Sequence, residues 1–182
     1  GRLSYFAERI VFAGVVTVIV FASLSLITLA LGAVFGMRFE TMDDPLAFIA
    51  WTAASCMNVW ALAVLSLILV YATRIVPMSY IGSFMLCSAI VPETLSLASG
   101  LIQAYAPGLM GVADVLSELV CWIPSNLTNW LFAGGASSMA AGWGALGAAL
   151  PGTGLTQAIV APVLWIAAAS ALILAIGRKR DI

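Results

Sequence analysis

The chain has no histidine, only three cysteines and very little charge: Asp, Glu, Lys and Arg make up 8% of its 182 residues. Each shortage excludes chemistry. Without histidine a Ser-His-Asp triad cannot be assembled, and the His-Glu-x-x-His pair of a membrane metalloprotease is missing. Cys56, Cys87 and Cys121 stand far apart with no Cys-x-x-Cys, so no zinc site is expected. A Gly-x-x-x-x-Gly-Lys-Ser/Thr loop is also missing, which removes nucleotide binding of that kind. The net charge is −1 and basic residues cluster only at the chain's end, so no nucleic-acid partner is expected. The chain is read as a non-enzyme, with no catalytic residue, no metal and no cofactor of its own.

What the chain does have is apolar surface. Hydrophobic residues make up 63% and the mean hydropathy is +1.13. Soluble domains carry about 25% charged residues, and a water-soluble fold could not hide this much apolar side chain, so the solvent is lipid. Four segments are long and apolar enough to span a bilayer: residues 10–36, 45–73, 76–103 and 154–177. A span takes about 20 residues, and a segment in lipid pairs its own amides only as a helix. The expected fold is therefore all-α, a polytopic bundle of four spans forming one transmembrane domain over 1–182. An outer connection, 104–153, carries a further amphipathic or re-entrant helical segment. The sequence opens on Gly1 and not Met, and is expected to be the C-terminal part of a longer polypeptide.

Charge orients this layout. With four spans, Arg2, Arg9, Arg74, Arg178, Lys179 and Arg180 fall on one side and only Arg38 on the other. Lys and Arg accumulate on the cytoplasmic side, so both ends are expected there. Residues 131–150 are uncharged, but mostly Gly, Ala and Ser, which insert poorly. A fifth span alone would also move the basic tail outside. This stretch is therefore expected to associate with the membrane or re-enter it. Residues 109–122 place Leu109, Val112, Leu116, Leu119 and Val120 at helical spacing, with Asp114, Ser117 and Glu118 between them. Two placements suit this helix: flat on the outer interface, or packed on the span bundle.

Three residues stand out inside the spans. Glu93 is an acid in the middle of an apolar segment, directly after Pro92. Intramembrane carboxylates are costly, and they face bundle interiors or aqueous paths. Pro92 removes a backbone donor and frees a carbonyl near Ser88, which the Ser88 and Thr94 hydroxyls can help to satisfy. A kink beside an acid resembles the broken helices at transporter substrate sites. It also occurs in spans with no site role. Asn58 lies mid-span, where an amide usually bonds to a neighbouring helix. Glu93, Pro92 and Asn58 are the candidate transport-path or kink residues. Gly32 and Gly36 form a Gly-x-x-x-Gly that permits close helix approach.

The opening Gly1-Arg2-Leu3-Ser4-Tyr5-Phe6-Ala7-Glu8-Arg9-Ile10, the two short hairpin connections, the long outer connection with Pro124, and the tail Arg178-Lys179-Arg180-Asp181-Ile182 together carry a likeness. The layout resembles the C-terminal portion of a permease subunit of the type-2 ABC exporter family. That resemblance implies a bacterial cytoplasmic membrane, a second permease copy in a homo- or heterodimer, and a cytoplasmic ATPase subunit as partner. Arg2, Arg9 and Arg74 would then face the ATPase, although plain positive-inside anchoring explains them as well. Two other readings stay open: an ion-coupled secondary transporter using Glu93, and a non-transporting membrane scaffold subunit.

Overall fold

The computed structural model describes residues 2–36, 45–73, 75–134 and 155–179. Among these residues every regular element is helical. The helices are α1 (Arg2–Val34), α2 (Pro45–Thr73), α3 (Val76–Cys87), α4 (Ile90–Tyr105), α5 (Met110–Cys121), α6 (Pro124–Gly134) and α7 (Leu155–Lys179), with a 3₁₀ turn at Pro107–Leu109 between α4 and α5. Proline punctuates the chain. Pro45 and Pro124 open α2 and α6, Pro77 is the second residue of α3, and Pro107 opens the 3₁₀ turn. The amide that proline lacks would have no helical partner at such positions. Pro162, by contrast, lies inside α7.

Three helices are long and apolar enough to cross a membrane: Ser4–Val34, Phe48–Thr73 and Gln157–Arg178. The third expected segment is not one straight helix. It is the pair α3 and α4, which together are apolar enough but are bent by 58° at their junction. Such a bend makes the pair either one broken span or a re-entrant loop, so the described residues hold three candidate spans, or four with this pair.

Helix α2 is the centre of the bundle, touching α1, α3, α6 and α7. Two apolar clusters hold it. Phe6 and Ile10 of α1, Val64 of α2, and Ala169 and Ile173 of α7 form one. Ala54 of α2, Trp130 and Leu131 of α6, and Ala158 of α7 form the other. Small residues allow the first cluster to close. A Cβ at Gly177 would lie 2.5 Å from the Phe6 ring, and one at Gly14 would lie 2.7 Å from the Trp60 indole. Helices in lipid associate by such close packing, since apolar surface alone gives them no reason to. The Gly32/Gly36 pair plays no comparable part at Gly36. That residue has φ of 62° and open space where a Cβ would stand, and it follows α1 as a left-handed cap.

The Phe6 ring meets Tyr71 edge-on at 5.0 Å and lies against Gly177. The start of α1, the end of α2 and the end of α7 therefore share one end of the bundle. Arg9 and Arg178 belong to that end.

The connection after α4 folds back on itself twice. Helix α5 packs against α4, where Ser99 donates to the Ala113 carbonyl at 3.0 Å and shares a 2.8 Å hydrogen bond with Ser117. Trp165 Nε1 donates to the Trp122 carbonyl at 2.8 Å. Trp165 lies ten residues after Leu155, about 15 Å along α7, so the α5–α6 turn reaches the middle of that helix. Helix α6 then returns toward the starts of α2 and α7. There Trp51 Nε1 donates to the Leu131 carbonyl at 2.8 Å.

Residues 109–122 thus pack against α4, the second of the two expected placements. The buried face of α5 is Ala113, Val120 and Cys121, while Leu109, Val112 and Leu119 point outward. A soluble amphipathic helix would bury the larger apolar face instead. Of the 131–150 stretch, residues 131–134 complete α6; residues 135–150 lie outside the described residues.

Candidate functional site

The break between α3 and α4 is built from local chemistry. A proline ring clashes with the carbonyl four residues earlier, which for Pro92 is that of Ser88. Ser88 is accordingly extended, with φ −83° and ψ 166°, and ends α3. Its hydroxyl donates to the Met85 carbonyl at 3.0 Å and lies 3.4 Å from the Ile90 amide, which donates to it. The Thr94 hydroxyl donates to the Ile90 carbonyl at 2.6 Å. Both hydroxyls thus serve the loosened backbone. Pro92 is buried in the first turn of α4, where its missing amide costs nothing.

Glu93 follows in that same first turn. Its amide donates to the Ala89 carbonyl at 2.9 Å, so the residue is held at the start of the helix. The partial positive charge of a helix N-terminus favours a carboxylate there. The side chain is exposed and not buried among the helices.

It opens into a groove of about 730 Å³ between α4 and α6. Glu93, Ser96, Asn126 and Asn129 supply its polar groups, and Pro92 and Leu97 are among its apolar ones. None of the described residues that line it is basic. The volume is in the range of small-molecule sites. Along α4, Glu93, Leu97 and Leu101 recur every four residues and all line the groove. A carboxylate at one end is therefore followed by an apolar wall that extends about 12 Å. Opposite, Asn126 and Asn129 are three apart on α6 and share a face. Asn126 Nδ2 donates to the Val120 carbonyl at 3.1 Å, capping the last turn of α5, so the side-chain oxygen is what this residue offers to a donor. Gly100 leaves the wall open, with nothing within 4 Å of where its Cβ would be.

Asn58 does not line this groove. It is fully buried, and its Nδ2 donates to the Ala54 carbonyl at 2.9 Å and to the Ala158 carbonyl of α7 at 3.0 Å. The second bond has a specific cause. Ala158 is four residues before Pro162, which has no amide to give it. Asn58 supplies the missing donor from the neighbouring helix. Asn58 Oδ1, Ser55 Oγ and Ser125 Oγ are buried without a hydrogen-bond partner among the described residues.

The basic candidates lie elsewhere. Arg9 is exposed, with its guanidinium 5.0 Å from the Tyr5 ring centroid, a cation–π contact. Arg2 begins α1, and Arg74 lies outside the described residues. Glu93 and Pro92 are thus brought together with three polar residues that sequence reasoning did not assign to a site: Ser96, Asn126 and Asn129. The available signal was the pair of asparagines three apart just after Pro124, in the polar first half of α6.

No family model, no curated protein and no solved structure matches this chain.

Proposed function

We propose that this chain is the membrane-spanning permease subunit of an ATP-driven exporter, with four crossings and both described basic ends in the cytoplasm. Its substrate path runs along the groove at Glu93. One observation carries the reading: an apolar helix pair broken beside an acid, with the break facing a groove that holds a carboxylate, two carboxamides and a hydroxyl. Ionisable groups in spans mark substrate or ion paths, and interrupted helices place them at the site.

The shared end of α1, α2 and α7 supports the orientation. It gathers Arg9 and Arg178, as the positive-inside rule requires of a cytoplasmic face. This face would dock a cytoplasmic ATPase subunit, and a second permease copy would complete the path. The chain carries no nucleotide-binding loop of its own, so ATP hydrolysis belongs to the partner. The bacterial cytoplasmic membrane is the compartment this reading implies.

The same broken helix pair favours a second reading, an ion-coupled carrier that protonates and deprotonates Glu93. Affinity purification of the full-length protein from its native membrane separates the two. The exporter reading expects a co-purifying ATPase and flux in sealed vesicles that stops on ATP depletion. Flux that follows a proton gradient and ignores ATP would overturn it in favour of the carrier. An assembly with neither ATPase nor flux would leave a scaffold subunit.

A further inference from the structure

We infer that the α4–α6 groove binds an amphiphilic cation: a primary ammonium or guanidinium head at Glu93 with an apolar body along Leu97 and Leu101. This inference rests on reading the groove as the substrate path, and names the substrate's chemistry.

Charge is the first argument. Among the described residues, Glu93 is the only ionisable one lining the groove, and none of the lining residues is basic. A carboxylate at membrane depth is costly unless paired, so the groove favours a ligand that brings the positive charge with it.

Hydrogen-bond polarity is the second. A carboxylate only accepts. Asn126 spends one of its two amide hydrogens on the Val120 carbonyl, and its side-chain oxygen adds a second acceptor beside the carboxylate. A head group rich in donors matches this pair. An anion does not, since the carboxylate would repel it.

Shape is the third. The acid lies at one end of the stripe, and Leu97 and Leu101 follow at one-turn intervals, 69% and 59% exposed. A ligand polar at one end and apolar along its length fills this layout. A compact inorganic cation would leave the leucines unused and would lack enough oxygen ligands, since Ca²⁺ and Mg²⁺ take six or more.

The test uses full-length protein in nanodiscs of phosphatidylcholine, a lipid with no net charge to attract the probe. The probe is dansylcadaverine, a fluorescent primary amine. Its N-acetyl derivative has nearly the same body without the charge. Protein-free discs give the baseline. The amine is expected to bind saturably and about tenfold or more tightly than the acetylated probe, the range of one charge-assisted hydrogen bond. Glu93→Gln should abolish that preference and Glu93→Asp should retain it. Gly100→Leu should weaken both probes by filling the groove. Its fold is expected to survive, because the added Cβ meets nothing within 4 Å.

Equal affinity for the two probes on the unmodified protein would overturn the inference. So would an amine preference that survives Glu93→Gln. If Glu93→Gln fails to fold, loss of binding in Gly100→Leu together with the amine preference of the unmodified protein decides the matter. Binding requires neither ATP nor a partner. Intact amine preference without ATP-driven flux would therefore remove the exporter reading and keep the site. ATP-driven flux without amine preference would remove the site alone.

Discussion

Asn58 and Pro162 are predicted to be energetically coupled, although they lie on different helices and more than 100 positions apart. Pro162 deprives the Ala158 carbonyl of its helical donor, and Asn58 Nδ2 replaces that donor at 3.0 Å. Replacing Asn58 by Leu leaves a buried carbonyl without a partner, a cost of about 1–3 kcal/mol. The same substitution also removes the unpartnered Asn58 Oδ1, a gain of similar size. The single variant therefore measures a difference between two opposing terms and says little by itself.

A double-mutant cycle isolates the term of interest. Pro162→Ala restores the amide that Ala158 lacks, so Asn58→Leu should cost less in that background. The cavity left by the proline ring is common to both arms and cancels. The expected coupling is about 0.6–2 kcal/mol, the range found for interhelical hydrogen bonds in membranes. It is read from unfolding of the purified protein in detergent titrated with dodecyl sulfate. Additivity within about 0.5 kcal/mol would show that Asn58 does not serve the carbonyl freed by Pro162, and the argument would fail.

Other expectations follow from the packing. Gly177→Leu should lower the thermal midpoint on size-exclusion detection, by an overpacking cost of about 1–3 kcal/mol, because its Cβ would meet the Phe6 ring at 2.5 Å and Tyr71 blocks that ring's retreat. Gly111→Leu, whose Cβ meets nothing within 4 Å, should stay within about 0.5 kcal/mol of the parent; equal losses at both sites would refute the close approach of α1 and α7. Ser99→Ala removes the hydrogen bonds to Ala113 and Ser117, and should speed deuterium exchange in α5 about fivefold, a loss of roughly 1 kcal/mol. Unchanged exchange there would mean that the α4–α5 hairpin does not depend on these bonds. Single cysteines at Ser4 and at Arg178, in a protein cleared of Cys56, Cys87 and Cys121, should react with an impermeant reagent from the same side of sealed vesicles. Reaction from opposite sides would contradict the shared end of α1 and α7.

Much of the helix layout was legible in the residues. The second span, 45–73, coincides with α2, because an uncharged run between a proline and an arginine leaves few other boundaries. The break in the third segment was foreshadowed by Pro92; the hydroxyls named for it, Ser88 and Thr94, bond to the Ile90 amide and the Ile90 carbonyl just past the break. The face on which α5 packs was not legible. Periodicity shows which residues share a face, but in lipid the apolar face is no longer the one that must be buried.

By itself, then, the sequence determined that the chain is helical and lipid-solvated, since its apolar content leaves a backbone in lipid no other way to pair its amides. It also determined where proline interrupts those helices, because that effect is confined to one turn of chain. Only the tertiary structure decided that Asn126 and Asn129 face Glu93 across a groove and that Asn58 completes α7 at Ala158. Those pairings depend on which helices become neighbours. In a membrane that choice is made by close-packed shape, as at Gly14 and Gly177, and shape complementarity is not encoded at any one position.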